Sequence, residues 1–283
     1  MTVFIIIAAV FAYQIYVPAN AGAWSRPGDS GYIAIKRSHV SGAAAIAVPQ
    51  QIGATASGLE TQTSANSQTR EIYGEYSVSP HILIVAKALS QHTQLAADTR
   101  RLRYHEIGLQ TPFELVAYGL LPPGTVSALR LAFPHLRFNH DTSAAVQIFR
   151  HETSTRNTGG DGHETTHANG GGLTVLFGDR LGVGNFHLEQ NLALTQFNSF
   201  SSGPWKADYD MHIGYRNQLT IGWMRETYQD QSLPYESHSQ YITVSFYPPD
   251  QQFGVRLLRG YNKTSQSMGN QRSFRLELGW SFP

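Results

Sequence analysis

Residues 163–167 read His-Glu-Thr-Thr-His. Zinc peptidases use this spacing because a helix puts two histidines at i and i+4 on one face, with the glutamate beside a metal-bound water. Here the surroundings oppose a helix. Gly159, Gly160 and Gly162 precede the motif, Gly170, Gly171 and Gly172 follow it, and both central residues are β-branched Thr. An extended form of the motif would place a third ligand at position 173, which is Leu. The stretch 152–172 therefore reads as a solvated external loop. His163 and His167, with His151 nearby, are only weak candidates for adventitious metal binding, and no resident metal or cofactor is expected. The run His140-Asp141-Thr142-Ser143 offers the ingredients of a nucleophile and its base. A serine nucleophile needs a base within hydrogen-bond reach and an oxyanion site, and adjacent residues of a strand or turn point different ways. The chain is read as non-enzymatic, with a barrel hydrolase as the lesser alternative.

A different set of ionisable residues falls on strand faces. In residues 205–215, Trp205, Ala207, Tyr209, Met211, Ile213 and Tyr215 alternate with Lys206, Asp208, Asp210, His212 and Gly214. Four ionisable groups on one face of one strand cannot enter a dry core without large desolvation costs. They can face a water-filled or salt-bridged lumen. The same alternation picks out Glu71, Glu75, Arg256, Arg275 and Glu277, so nine residues are candidates for a lumen lining: these five with Lys206, Asp208, Asp210 and His212. As a pore lining they would set electrostatic selectivity. As paired charges of mixed sign they would instead form a structural network closing a narrow barrel.

The elements positioning these residues are strands of period two. In the last one, Phe274, Leu276, Leu278, Trp280 and Phe282 oppose Arg275, Glu277, Gly279 and Ser281. A soluble sandwich turns such an apolar face inward, and a membrane barrel turns it to lipid. Further strands are predicted at 31–39, 71–78, 82–92, 105–120, 125–133, 173–177, 185–197, 219–223, 241–247 and 253–257. Residues 41–68 read as part strand and part mobile loop, and 144–151 as a strand or an extension above the membrane. Tight turns are expected at 79–81, 178–180, Asn217 and 248–250, and polar loops at 152–172, 199, 229–237 and 262–271. Short turns alternating with longer loops point to an all-β, antiparallel up-and-down transmembrane barrel, with short periplasmic turns and longer external loops. At roughly 20 residues per strand and connection, 283 residues give about 12 strands, with 14 as the alternative. From Arg100 to Phe138 the alternation blurs.

Composition agrees. Charged residues make up 14% and hydrophobic ones 41%, while mean hydropathy is −0.27, which excludes a bundle of membrane helices. Cysteine is absent, so disulfides and thiolate chemistry are excluded together. A net charge of +1 gives no footprint for nucleic acid. Residues 1–23 read as an export signal, with an apolar run at 3–17 and Ala21 and Ala23 as an A-x-A-like cleavage site before Trp24; residues 24–283 are then the barrel domain. No Lys or Arg precedes the apolar run, so an uncleaved anchor stays open.

Several short patterns carry a family resemblance: Ala23-Trp24 followed by Pro27, Gly28 and Gly31; Tyr73-Gly74-Glu75-Tyr76; the strand ending in Gly214-Tyr215-Arg216; and Leu278-Gly279-Trp280 with Phe282. In these the chain resembles the outer-membrane proteins of the MetA-pathway-of-phenol-degradation family. The resemblance implies a barrel of about 12 strands that passes hydrophobic or aromatic compounds, and it carries no catalytic residues. Residues 100–170 do not match, which leaves pore shape and selectivity open. The aromatic-ended last strand, with Trp280 and Phe282, resembles the signal read by barrel-assembly machinery, departing from it at Pro283. Expected partners are therefore outer-membrane lipid, that machinery and a small-molecule solute.

Overall fold

The computed structural model describes residues 28–42, 65–95, 98–114, 124–133, 136, 138–159, 162–197, 203–216, 218–230, 235–248, 253–264 and 271–282. The export signal, the loop part of 41–68, Asn217 and Pro283 lie outside the described residues. Twelve strands follow one another: β1 (Ser30–Gly42), β2 (Ala65–Ser79), β3 (Ile82–Leu95), β4 (Asp98–Glu114), β5 (Phe138–Gly159), β6 (Gly162–Val183), β7 (Phe186–Phe197), β8 (Trp205–Tyr215), β9 (Leu219–Asp230), β10 (Tyr235–Phe246), β11 (Phe253–Thr264) and β12 (Gln271–Phe282). Each pairs antiparallel with its neighbours in sequence, and β1 pairs with β12, so the sheet is a closed barrel. Closure satisfies the backbone groups that an edge would leave bare in lipid.

The period of two sorts the side chains. Ile33 and Ile35 on β1, Ile72 and Val78 on β2, Ile107 and Leu109 on β4, and Ile242 and Val244 on β10 are all exposed. Their strand neighbours of opposite parity, such as Tyr32, Glu75, Leu102 and Thr243, are buried. The apolar face is outside and the polar face inside, the arrangement of a transmembrane barrel rather than a sandwich. We call the end where β1 begins and β12 ends the lower rim. Exposed Tyr76, Tyr215, Phe246 and Trp280 form an aromatic girdle there. Toward the upper rim the outward positions turn basic, with Arg37, Arg70, Arg101 and Arg103 exposed on β1, β2 and β4, at the level where charged side chains reach lipid headgroups.

Four expectations need correcting. Residues 125–133 are not a strand: Thr125–Ala132 form a helix, α1, with Gly124 at its N-cap in the left-handed region (φ 82°). Leu129, Phe133 and Leu136 pack against Phe138, Leu181 and Val183. Those strand residues share parity with exposed Ile148, so α1 lies against the outer wall near the lower rim. A short apolar run does not distinguish helix from strand until its partner is known. Second, 152–172 is no loop. β5 and β6 run 22 residues each, joined through 160–161, because the Thr-rich sequence is good strand material even where both faces are wet. Third, the turn expected at 178–180 lies instead at Gly184 (φ 70°) and Asn185, and Gly178, Asp179 and Arg180 are within β6. Fourth, both ends of the loop expected at 229–237 are strand, since β9 runs to Asp230 and β10 begins at Tyr235. The turn-and-loop asymmetry is also looser than expected, since the long 115–137 connection carrying α1 is on the turn side and the two-residue connections 96–97 and 160–161 are on the other.

The closing seam has little spare room. Gly31 on β1 pairs with Phe282 on β12, and a Cβ at Gly31 would lie 2.2 Å from the Phe282 ring and 2.9 Å from the Glu75 carbonyl oxygen. Gly31→Val is expected to lower barrel stability by about 1–3 kcal/mol through overpacking. A lower urea midpoint in detergent refolding, followed by heat-modifiable gel migration, would show it; an unchanged midpoint would refute a packed seam.

Candidate functional site

Strand alternation aims one face of every strand at a common interior, which holds a cavity of about 450 Å3. Five basic side chains (Lys36, Lys87, Lys206, Arg256, Arg275) and six carboxylates (Glu71, Glu106, Asp208, Asp210, Glu226, Glu277) line it. The two signs nearly balance.

Each of the five basic groups is paired with a carboxylate. Lys36 Nζ lies 3.1 Å from Glu71 Oε1, and Lys87 Nζ lies 3.8 Å from Glu71 Oε2, so one carboxylate serves cations from both flanking strands. Lys206 Nζ meets Asp208 Oδ2 at 2.6 Å. Two pairs reach across the interior between strands that are not neighbours. Arg275 on β12 donates from Nη1 and Nη2 to the two oxygens of Glu226 on β9, at 3.0 and 3.2 Å. Arg256 on β11 donates from Nη2 to both oxygens of Asp210 on β8, each at 3.0 Å. The Arg275–Glu226 pair is a bidentate fork, the strongest form of this contact, and the Arg275 guanidinium also stacks over Tyr241 at 5.0 Å from the ring centroid.

One part of the cavity wall is apolar. Tyr104, Phe149, Phe197 and Tyr228 form a cluster with Leu89 packed against it. The Phe149 and Phe197 rings meet edge to face at 5.7 Å, and His151 stacks on Tyr104 at 5.6 Å. Tyr104 OH donates to Glu106 Oε2 at 2.5 Å and Gln147 Nε2 donates to Glu106 Oε1 at 2.9 Å, so the aromatic wall runs directly into the charged one.

Of the nine residues singled out as lumen candidates, Glu71, Lys206, Asp208, Asp210, Arg256, Arg275 and Glu277 line this cavity. Glu75 and His212 are buried on the same inward faces. Tyr73 OH donates to Glu75, and Tyr32 OH donates to Glu277 Oε1 at 3.2 Å. Sequence reasoning missed Lys36, Lys87, Glu106 and Glu226, which alternation does place opposite Ile35, Ala86, Ile107 and Arg225. The aromatic cluster had no such signal: Tyr104, Phe149 and Phe197 face inward where an apolar residue is expected to face lipid.

The other motifs come apart. His163 and His167 are exposed on β6, and four residues along a strand separate them by about 13 Å, too far to share a metal. His163 Nδ1 instead lies 3.1 Å from Thr158 Oγ1. His140 and Ser143, three apart on β5, fall on opposite faces, and His140 Nε2 is 2.6 Å from Asp179 Oδ1. They do not form a nucleophile and base.

No family model matches the chain, and no curated protein matches it in sequence. Solved structures do resemble it in shape. The beta domain of the Bordetella autotransporter BrkA is 9% identical, with 90% of this chain and 100% of that one covered at a TM-score of 0.50. An outer-membrane channel from Pseudomonas putida F1 is 10% identical, with 93% and 98% covered at 0.49. KdgM porin is 8% identical, with 89% and 99% covered at 0.41. The closed twelve-strand sheet, its apolar exterior and the first of these likenesses together give the fold of an outer-membrane β-barrel.

Proposed function

We propose that the protein is a passive channel of the bacterial outer membrane for small solutes that combine an aromatic or apolar body with polar substituents. The observation that carries this reading is the two-faced cavity. An aromatic wall of Tyr104, Phe149, Phe197 and Tyr228 offers stacking area, and the charged wall beside it offers donors and acceptors. The solute class agrees with the passage of aromatic compounds that the family resemblance implies. By the usual orientation of such barrels the lower rim is periplasmic.

A second reading, a closed barrel with a structural lumen, draws on the two arginine bridges that cross the interior. Planar-bilayer recording of the full chain separates the two. The channel reading expects discrete steps in KCl and a current reduced by millimolar benzoate, a small aromatic acid. In Phe149→Ala that block weakens by roughly tenfold, the worth of one aromatic contact of about 1.4 kcal/mol. Absence of any conductance above bare lipid would overturn the channel in favour of the closed barrel.

A further inference from the structure

His187 and Glu189 stand two apart on β7, so both point inward, and the strand register sets His212 of β8 directly opposite Glu189. All three are buried, at 5%, 5% and 7% exposure. Two imidazoles and a carboxylate each present one ligand atom, and these atoms lie within 4.8 Å of one another; among the described residues no other group of three does so. The position is close to the lower rim, with His187 one residue inside the start of β7.

Three features show that the local structure favours this grouping. Gly214 pairs with His187, and a Cβ there would fall 2.0 Å from the His187 ring, so the imidazole lies across a space that only glycine leaves. The buried His187 Nε2 has no hydrogen-bond partner, a costly condition for a polar atom that a ligand would relieve. The remaining atoms are held from behind. Asn191 Nδ2 donates to Glu189 Oε1 at 3.0 Å, which leaves Oε2 facing His212 Nε2 at 3.6 Å. Asp210 Oδ2 lies 3.8 Å from His212 Nδ1, and Asp210 is itself gripped by Arg256. A carboxylate behind the far nitrogen of a histidine is the usual support of a metal-ligating imidazole.

We propose that His187, Glu189 and His212 form a binding site for a divalent transition-metal ion of the zinc class at the lower end of the lumen. Two nitrogens and one oxygen suit Zn2+ and its neighbours, whereas Mg2+ and Ca2+ take oxygen ligands. Ligand atoms around a tetrahedral zinc are about 3.4 Å apart, given bonds of about 2.1 Å, so small side-chain rotations close the site. The fourth position is left for water or a solute. A bound ion would tie β7 to β8 beside the cavity, and the proposal holds whether or not the lumen conducts.

The test is titration of the full chain, folded in detergent and free of any histidine tag, with Zn2+ alone by calorimetry, and with Co2+ followed by visible absorption. Saturable binding of one ion per chain is expected, with a d–d band indicating nitrogen and oxygen ligands. His187→Ala and Glu189→Gln should abolish it, Gly214→Ala should weaken it by displacing the His187 ring, and Asp210→Asn should weaken it about tenfold. The paired substitution His163→Ala with His167→Ala should leave it unchanged. Heat-modifiable migration confirms that each variant is folded, and near-isosteric Glu189→Gln serves if His187→Ala is not. No saturable binding in the wild type, equal binding in folded Glu189→Gln, or loss only in the His163 and His167 variant would each overturn the assignment.

Discussion

On the proposed channel reading, replacing Arg275 with alanine is expected to raise single-channel conductance and turn the pore toward cations. Arg275 holds Glu226 through two hydrogen bonds at 3.0 and 3.2 Å, between β12 and β9, and so blocks part of the interior. Removing a guanidinium from this crossing widens the path, and a roughly twofold increase in conductance is the expected size. The lining then carries six carboxylates against four basic groups, where the wild type has six against five. The reversal potential under a KCl gradient should shift in the direction of K+ preference. Stability should fall by about 2 kcal/mol, because Glu226 loses a charge-assisted pair and Tyr241 its stacked cation. The Arg275 and Glu226 side chains are 21% and 17% exposed, so water reaching the lumen limits the cost. Arg275→Lys keeps the charge but not the fork, and should restore the selectivity while leaving much of the stability loss. An unchanged conductance and reversal potential in folded Arg275→Ala would mean that this bridge does not bound the path of ions.

Placing arginine at Val244 is expected to destabilise the barrel. Val244 is 40% exposed on β10, flanked across the ladder by Ile221 at 56% and Leu257 at 43%. A charge here, two residues from the girdle at Phe246, meets hydrocarbon at a cost of about 2 kcal/mol, between the midplane and interface values for such barrels. Val244→Arg should fold poorly into lipid vesicles, with a reduced heat-modifiable fraction and a lower urea midpoint. On a water-facing surface the same change is close to neutral. Equal stability of Val244→Arg and wild type would therefore contradict a lipid-facing exterior.

These two expectations rest on different amounts of information. That Val244 shares a face with Ile242 and Phe246, opposed to Thr243 and Ser245, follows from period two alone, and the closed barrel then turns that face outward. The same rule set Lys206, Asp208, Asp210 and His212 on one face of β8, and Arg275 and Glu277 on one face of β12, before any partner was known. By itself, then, the sequence determined which charges share a strand face, because that depends on alternation within a single strand, and it pointed to the barrel class through the charge on those faces and the spacing of turns and loops.

Tertiary structure decided everything that joins distant strands. Alternation does not say that Arg275 meets Glu226 or that Arg256 meets Asp210, since those contacts depend on the curvature and stagger of the closed sheet. Nor does it bring His187 and Glu189 level with His212, which requires the register of β7 against β8. The boundaries were lost for a related reason. Residues 152–172 rise where neither face needs to be apolar, so the alternation that marks a strand fades although the ladder continues. The apolar spacing of Leu129, Phe133 and Leu136 became legible as a helix only against Phe138, Leu181 and Val183 on the wall it covers. Period two is a property of one strand, whereas a site, a bridge or a docked helix is a property of at least two elements, and their relative placement is fixed only when the barrel closes.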